Sequence, residues 1–498
     1  MNSKNFAKSV SFIVLSLFFA TSLWADDIVN FAHLEHLTVD LTITGQKTQG
    51  IVIYADGPDF KLVNAPGEGF ACVDDVARAA VLYIDANKLD KARPLLNFVL
   101  QLQGENGLFY NFVYKDGTIN RFGKTSRLCD DFWTSRGLWA LGKGAEAFRH
   151  VEPVFAKACQ QGAEKTLRAL GLRMKKRSKL VQRYGRTFPT FFLLRGTDCW
   201  SEALLGAVAL HRAFPSSESE WFIKTLANAL ADCRAGSKNC PPFGGFFVWA
   251  GKPFTWHGWG SRQAYSLIEA GTALSEPAWI DAAQAEVDGL HEHFFKYGLL
   301  ATMDVVPEAY PQIAYTLSPL IQSAAALYRL RGRRRHREIA LAFGAWFLGA
   351  NSSGEALYDP ESGRCYDGID DGRINKNSGA ESTIEALIAL WALRDLGPIE
   401  PPKRKCLPRI VIAKPESGRQ KTNKVIIPRS GSYHCVVCRN KKQNGAVSLI
   451  LDGKAHNLES TASAGVFHCG NTKFLAGEHK FQIQGKGDIS YIMFFYAN

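Results

Sequence analysis

Asp74 and Asp75 stand side by side in the segment CVDDVARA, just ahead of Arg78. Carboxylates at a helix start steady the helix dipole, and one of them can serve as a plain N-cap. Two together beside an arginine exceed what capping requires. Similar clusters recur along the chain. Asp130, Asp131, Trp133 and Arg136 lie in CDDFWTSRGLWALG, and Asp198 and Glu202 lie in GTDCWSEALLG. Asp304, Glu308, Tyr310 and Gln312 lie in MDVVPEAYPQIAY, and Asp367, Asp370, Asp371, Asn375, Asn377 and Glu381 in YDPESGRCYDGIDDGRINKNSGAEST. Asp198 and Glu202 are four apart and share a helical face. Glu202 opens an otherwise apolar helix and is expected to be buried, while capping competes for Asp198. Ser378 and Glu381 have capping-box spacing, which would explain that glutamate structurally. Asp370, Asp371 and Gly372 do not match the EF-hand pattern and read as a turn.

Hydrolysis of a glycosidic bond needs two carboxylates across the bond, one as acid and one as base or nucleophile. Asp74, Asp75, Asp131, Glu202 and Glu381 are the candidates. A further cluster, FGGFFVWAGKPFTWHGWGSRQAY, is dense in Trp249, Trp256 and Trp259 around His257. Flat aromatic faces suit the apolar face of a pyranose, and Arg262 and Gln263 could bond its hydroxyls. Core packing competes for these aromatics. Trp133, Arg136, Asp304, Tyr310, Gln312, Asp367 and Asn377 complete the expected sugar contacts. A lyase is the second reading, with Arg262 or Asn377 neutralising a uronic acid and Tyr315 or His257 taking the proton. A glycan-binding protein without turnover is the third. The chain has no Gly-rich phosphate loop, no GxSxG and no HExxH, so nucleotide, serine-hydrolase and zinc-protease chemistry are set aside. No cofactor, metal or nucleic-acid partner is expected.

These clusters must be carried by helices. Segments apolar on every side start near Asp74, Trp133, Trp200, Arg262, Gln312 and Ser382. A helix of that kind belongs in an interior. Amphipathic helices starting near Asp90, Val154, Glu218, Pro277 and Arg335 alternate with them, and Ser217 with Glu220 has capping-box spacing. The recurrence describes repeated helical hairpins, six inner helices inside a ring of outer ones. Only five outer helices are visible, and Val29–Leu37 is the candidate for the twelfth position. In such an (α/α)6 toroid the inner-helix starts converge on one basin, which is where the polar clusters fall.

The chain of 498 residues is longer than one core usually supports, and 46% hydrophobic with 21% charged residues is ordinary for a globular protein. Lys4, Lys8, the apolar run Val10–Ala20 and the small residues through Ala25 read as a secretory signal. The expected setting is therefore periplasmic or extracellular, without stable membrane insertion. The net charge of +12 falls to +10 without Lys4 and Lys8. Basic clusters at Lys175–Arg177 and Arg331–Arg335 could attract an anionic glycan, although solvated helix faces are their commoner use. Eleven cysteines fit an oxidising compartment. Cys435 and Cys438 point to opposite faces of a strand, so disulfides to Cys406 and Cys469 are expected rather than a zinc site, and Cys233 with Cys240 could close a small loop.

Beyond the prolines at 398, 401 and 402 the pattern becomes alternating and β-branched, as in GSYHCVVCR and VSLILDGK. The expected organisation is a signal at 1–25, a strand-containing segment at 26–60, the toroid at 61–397, a linker at 398–407 and a small all-β sandwich at 408–498.

CVDDVARA, SRGLWALG, PQIAYTLSPLIQSAAALY, WFLGAN, LYDPESGRCYDG and NKNSGAEST resemble the six-hairpin, (α/α)6-toroid glycosidase-like family, over roughly residues 70–397. That domain also occurs fused to bacterial glycosyltransferases. The resemblance implies a toroid acting on an oligosaccharide or polysaccharide. Val76 stands where fused members often have Asn, and Trp133 to Arg136 where an acid, His, Gly and Arg run is common. The C-terminal part resembles carbohydrate-binding β-sandwich modules in outline only.

Overall fold

The computed structural model describes residues 23–183, 186–238, 242–252, 255–303, 307–400, 410–413, 423–427, 430–439, 447–460, 466–485 and 489–497. The expected signal segment up to residue 22, Asp304, Cys240 and Cys406 lie outside them.

Two short helices open the described chain, α1 (Ala25–Ile28) and α2 (Ala32–Leu37). Six hairpin-forming inner helices follow: α3 (Val73–Asp85), α5 (Phe132–Phe148), α7 (Thr197–Ala213), α9 (Gln263–Leu274), α12 (Ala314–Arg331) and α14 (Ala380–Trp391). Between them run the outer helices α4 (Leu89–Gln101), α6 (Pro153–Lys176), α8 (Ser217–Ala231), α10 (Pro277–Glu286) and α13 (Arg334–Phe347). A π-turn at Val287–His291 joins α10 to α11 (Glu292–Tyr297). Every observed start falls within three residues of its expected place. Each inner helix packs against the next, and α14 packs back on α3, so the ring closes. This is an (α/α)6 toroid.

The inner helices are buried on nearly all sides because their sequences are apolar on all sides. In α7 only Arg212 and His211 escape full burial. Outer helices bury one stripe and start on prolines at Pro153 and Pro277, where the missing N–H costs nothing. In α8 the cap is Ser216 with Ser219, one residue earlier than the Ser217–Glu220 spacing suggests, and Glu220 instead pairs with Lys224. Helices α5 and α7 touch backbone to backbone. A Cβ on Gly206 would lie 2.6 Å from the Trp139 nitrogen, and one on Gly142 would lie 2.5 Å from the Gly206 oxygen. Any larger residue would push two inner helices apart and widen the ring.

The twelfth outer position is filled by short pieces. Helices α1 and α2 pack on α14, Leu23 exchanges two backbone hydrogen bonds with Ile399, and the Tyr358 hydroxyl donates to the Ile28 carbonyl at 2.7 Å. Ala25 is fully buried, so this segment belongs to the packed ring. A hairpin of Thr38–Ile43 and Gln46–Ile51 follows it.

Near the C-terminus, two antiparallel sheets of five and four strands enclose a cluster that includes Tyr433, Cys435, Leu449, Phe481 and Phe494. The other face of the five-stranded sheet, with Val436, Cys438, Met493 and Phe495, joins the toroid core. Phe495 meets Phe243, His293 and Tyr297 there. The sheets are thus seated on the ring and share its core, which differs from the separate unit expected. Cys435 and Cys438 do face opposite sides, one into each cluster. Cys435 and Cys469 are free thiols, so no disulfide joins them, while the expected partners Cys406 and Cys240 lie outside the described residues.

Candidate functional site

All six inner helices bring charge or hydrogen-bonding groups to the ring centre. Arg78 of α3 donates to Glu385 of α14 at 2.8 Å and to Asp75 at 2.7 Å, and lies 3.4 Å from Glu381. Arg262, which caps α9, donates to Glu385 at 2.6 Å, to Glu202 of α7 at 2.9 Å and to Gln322 of α12 at 3.1 Å. Arg136 of α5 donates to Glu202 at 2.7 Å, to the Tyr315 hydroxyl of α12, and pairs with Asp74 at 2.9 Å. Glu385 and Glu202 are the two bridges, each held between two guanidinium groups. The ring of Tyr315 carries Arg78, Arg136 and Arg262 at 4.8, 5.3 and 5.5 Å from its centroid.

The carboxylates fall into two classes. Glu202, Glu385 and Asp75 are sealed, with side-chain exposures of 0, 0 and 5%. Burial alone would raise Glu385, but Arg262 and Arg78 hold it below the usual glutamate range. Asp75 moves the other way, since burial raises it more than Arg78 and the Cys72 thiol lower it. The second class opens to solvent at the inner-helix starts: Glu381 at 48%, Asp131 at 31% and Asp74 at 21% exposed. Desolvation raises the Glu381 carboxyl above the ordinary range, and the opposing pull of Arg78 does not cancel that. Asp131 caps α5 by accepting from the Phe132 N–H at 2.9 Å, and desolvation raises it despite Arg195 3.3 Å away. Asp74 accepts from the Asn111 amide at 2.9 Å.

Glu381 does no capping. The N-cap of α14 is Gly379, and Asp367 holds that end by accepting from the Gly379 N–H and the Ser382 hydroxyl. Asp367 is therefore a structural support, with its carboxyl raised by burial. Asp198 is not a cap either. It accepts from Cys199 N–H and faces His257 at 3.2 Å. His257 Nδ1 accepts from the Trp259 N–H at 3.1 Å, which leaves Nε2 as the donor to Asp198. Both ring nitrogens are thus occupied.

The loop carrying His257, Trp259 and Arg262 lies tight on α12. A Cβ on Gly260, whose φ is +68°, would stand 2.3 Å from the Tyr315 hydroxyl. Trp249 and Trp259 flank His257 with centroids at 5.0 and 4.6 Å, and both are partly exposed. Trp256 is 1% exposed and packs on Phe294, so it belongs to the core. Trp133 is buried with its Nε1 donating to the Phe109 carbonyl. Gln263 is buried against Thr197, and Gln312 is tied to the Leu299 and Ala309 carbonyls. Arg262 is wholly buried, leaving no donor for a substrate carboxylate. Asn377 accepts from Gly57 N–H, and Tyr310 is partly exposed. Asp370 and Asp371 form a hairpin turn, with Asp371 at φ 47°. The basic run at 331–335 is spent on ion pairs with Asp281, Asp288, Glu292 and Glu338.

Sequence reasoning missed Glu385. A carboxylate inside the otherwise apolar run TIEALIALW carries the same signal that singled out Glu202. A cavity of about 640 Å³ lies at the opposite end of α3, lined by Glu35, Asp40, Tyr83 and Asp90 among others, away from these groups.

No family model matches the chain, and no curated protein matches it. Solved structures do. A sugar epimerase from a ruminal bacterium superposes with TM-score 0.53 at 12% identity, covering 74% of this chain and 97% of that one. Cellobiose 2-epimerase from Bacillus thermoamylovorans B4167 gives 0.52 at 10%, covering 73% and 94%. A D-mannose isomerase gives 0.52 at 11%, covering 74% and 95%. At these identities the likeness establishes the fold.

Proposed function

We propose that this toroid is a carbohydrate-processing enzyme, and that its reaction is glycoside hydrolysis with Glu381 as the proton donor and Asp74 as the opposing carboxylate. The observation that carries this reading is the division of the ring-centre acids. Glu202, Glu385 and Asp75 are consumed by arginines, whereas Glu381 opens on the basin with its proton held more firmly than usual. Asp74 stands on the neighbouring helix, oriented by Arg136 and Asn111. An acid that keeps its proton, with a second carboxylate on the neighbouring helix, is what hydrolysis by two carboxylates requires. Partly exposed Trp249 and Trp259 supply faces for a sugar ring. Export through the N-terminal signal, and glycan binding by the C-terminal sheets, belong to the same proposal.

Epimerisation or isomerisation is the second reading, because the three fold neighbours described above are named for it. His257 does not serve as its base, since both ring nitrogens are engaged within the protein. Glu381 would have to take that part. Lyase action is weakened for the same reason, together with the burial of Arg262. A screen of neutral and uronate-containing oligosaccharides with mass analysis of products separates the readings. Shorter products bearing added water support hydrolysis, products of unchanged mass and altered retention support epimerisation, and unsaturated products support a lyase.

A further inference from the structure

We infer that the sugar unit seated against Glu381 carries no carboxylate, so that the floor of the basin accepts an uncharged sugar and refuses a uronic acid. The inference rests on the carbohydrate reading above and deepens it. Arg78, Arg136 and Arg262 have side chains 1, 5 and 0% exposed, and each is committed to at least two carboxylates. Arg195 is more open, yet it is held by Asp130, Asp131 and the Cys129 sulfur. The acidic groups that do reach solvent here are Glu381, Asp131 and Asp74. An incoming carboxylate would therefore meet the Asp74 and Asp131 carboxylates and the acidic Glu381, with no uncommitted cation at this floor among the described residues. Recruiting one of the arginines would strand Glu202 or Glu385 as a buried, half-paired anion, the most costly state such a network can enter.

Hydroxyl groups face no such obstacle. Carboxylates are pure acceptors, and a neutral sugar presents donors to them. The exposed Arg121, Lys124 and Arg127 lie in the loop before α5, in water, where salt screens them. They bear on the approach of a ligand and leave the floor acidic. The strongly basic composition of the whole chain and the acidity of this one site thus point to different things. Overall charge sets how the protein meets other macromolecules. The local excess of carboxylate sets which sugar can sit.

The test is binding of matched pairs by calorimetry at pH 7 and low salt: methyl glycosides of glucose, galactose and mannose against the methyl glycosides of the corresponding uronates. At least one neutral member is expected to bind at least ten-fold more tightly than its uronate. The gap should narrow in Asp74→Asn and at high salt. A uronate that binds as tightly as its neutral parent, or more tightly, overturns the inference while leaving a carbohydrate enzyme intact. Absence of binding by every member, together with no turnover in the oligosaccharide screen, overturns the carbohydrate reading and this inference with it.

Discussion

Glu385 accepts a hydrogen bond from Arg262 at 2.6 Å, and neither side chain has any exposure to solvent. The pair ties the start of α9 to the second turn of α14 across the centre of the ring. With Arg78 on its other oxygen, Glu385 closes a chain of ion pairs that touches all six inner helices.

Removing one partner of a buried charge network leaves the others uncompensated. Glu385→Gln should lower stability by about 3–5 kcal/mol, because Arg78 and Arg262 each lose an anion. Chemical denaturation checks this. A loss under about 1 kcal/mol would mean that water already reaches the network.

Gly260 sets a tighter constraint than its loop position suggests. Gly260→Ala adds a methyl against the Tyr315 hydroxyl at a backbone angle that favours glycine. It should displace Trp259 and Arg262 and lower both stability and sugar binding. Thermal melting and calorimetry read the two effects, and an unchanged variant would contradict the described seating of the loop.

His293 lies between Phe243, Tyr297 and Phe495 where the sheets meet the ring. Lys238, Lys296, Glu292 and His434 are the polar groups acting on it, and burial dominates, bringing it from 6.5 down to about 4. A base whose folded value is depressed binds its proton more readily when unfolded. Its neutral form thus supports the fold above pH 6.5, and stability falls between pH 6.5 and 4 by at most about 3 kcal/mol. Denaturation across that range should show the slope, and His293→Phe should flatten it.

The described chain also bears on where the proposed signal would end. Sequence alone puts cleavage after Ala25, yet Leu23 is bonded to Ile399 and Ala25 is fully buried. Ala20 and Ser22 provide small residues for a cut three residues earlier. On export the mature N-terminus is expected at Leu23, and intact mass with N-terminal sequencing decides between Leu23 and Asp26.

Much of the ring was legible because its signal is redundant. Six all-apolar segments and five amphipathic ones alternate at hairpin spacing, and a helix without a polar face has few places to go. The basin clusters were legible as clusters, but their division of labour was not. Glu202 and Glu381 both stand near the start of an apolar inner helix, and only the three-dimensional placement of Arg136 and Arg262 shows one consumed and the other open. Ser378 with Glu381 matched a capping box by spacing, whereas the hydrogen bonds go to Asp367, eleven residues upstream of Ser378. Trp256 and Trp259 are three apart in one aromatic run, yet the strand pairing at Trp256–His257 turns the first into the core. The docking of the sheets on the ring depends on Phe243 and Phe495, residues too distant in sequence for any local pattern to link.

The central claim is that the exposed, proton-retaining Glu381 performs the chemistry. Release of reducing ends from the best neutral oligosaccharide should therefore rise on an acid limb and fall as pH climbs past the raised value of Glu381. Glu381→Gln should lower the rate at least a hundred-fold with melting and sugar binding retained. A folded Glu381→Gln protein that releases reducing ends at the wild-type rate would contradict the account.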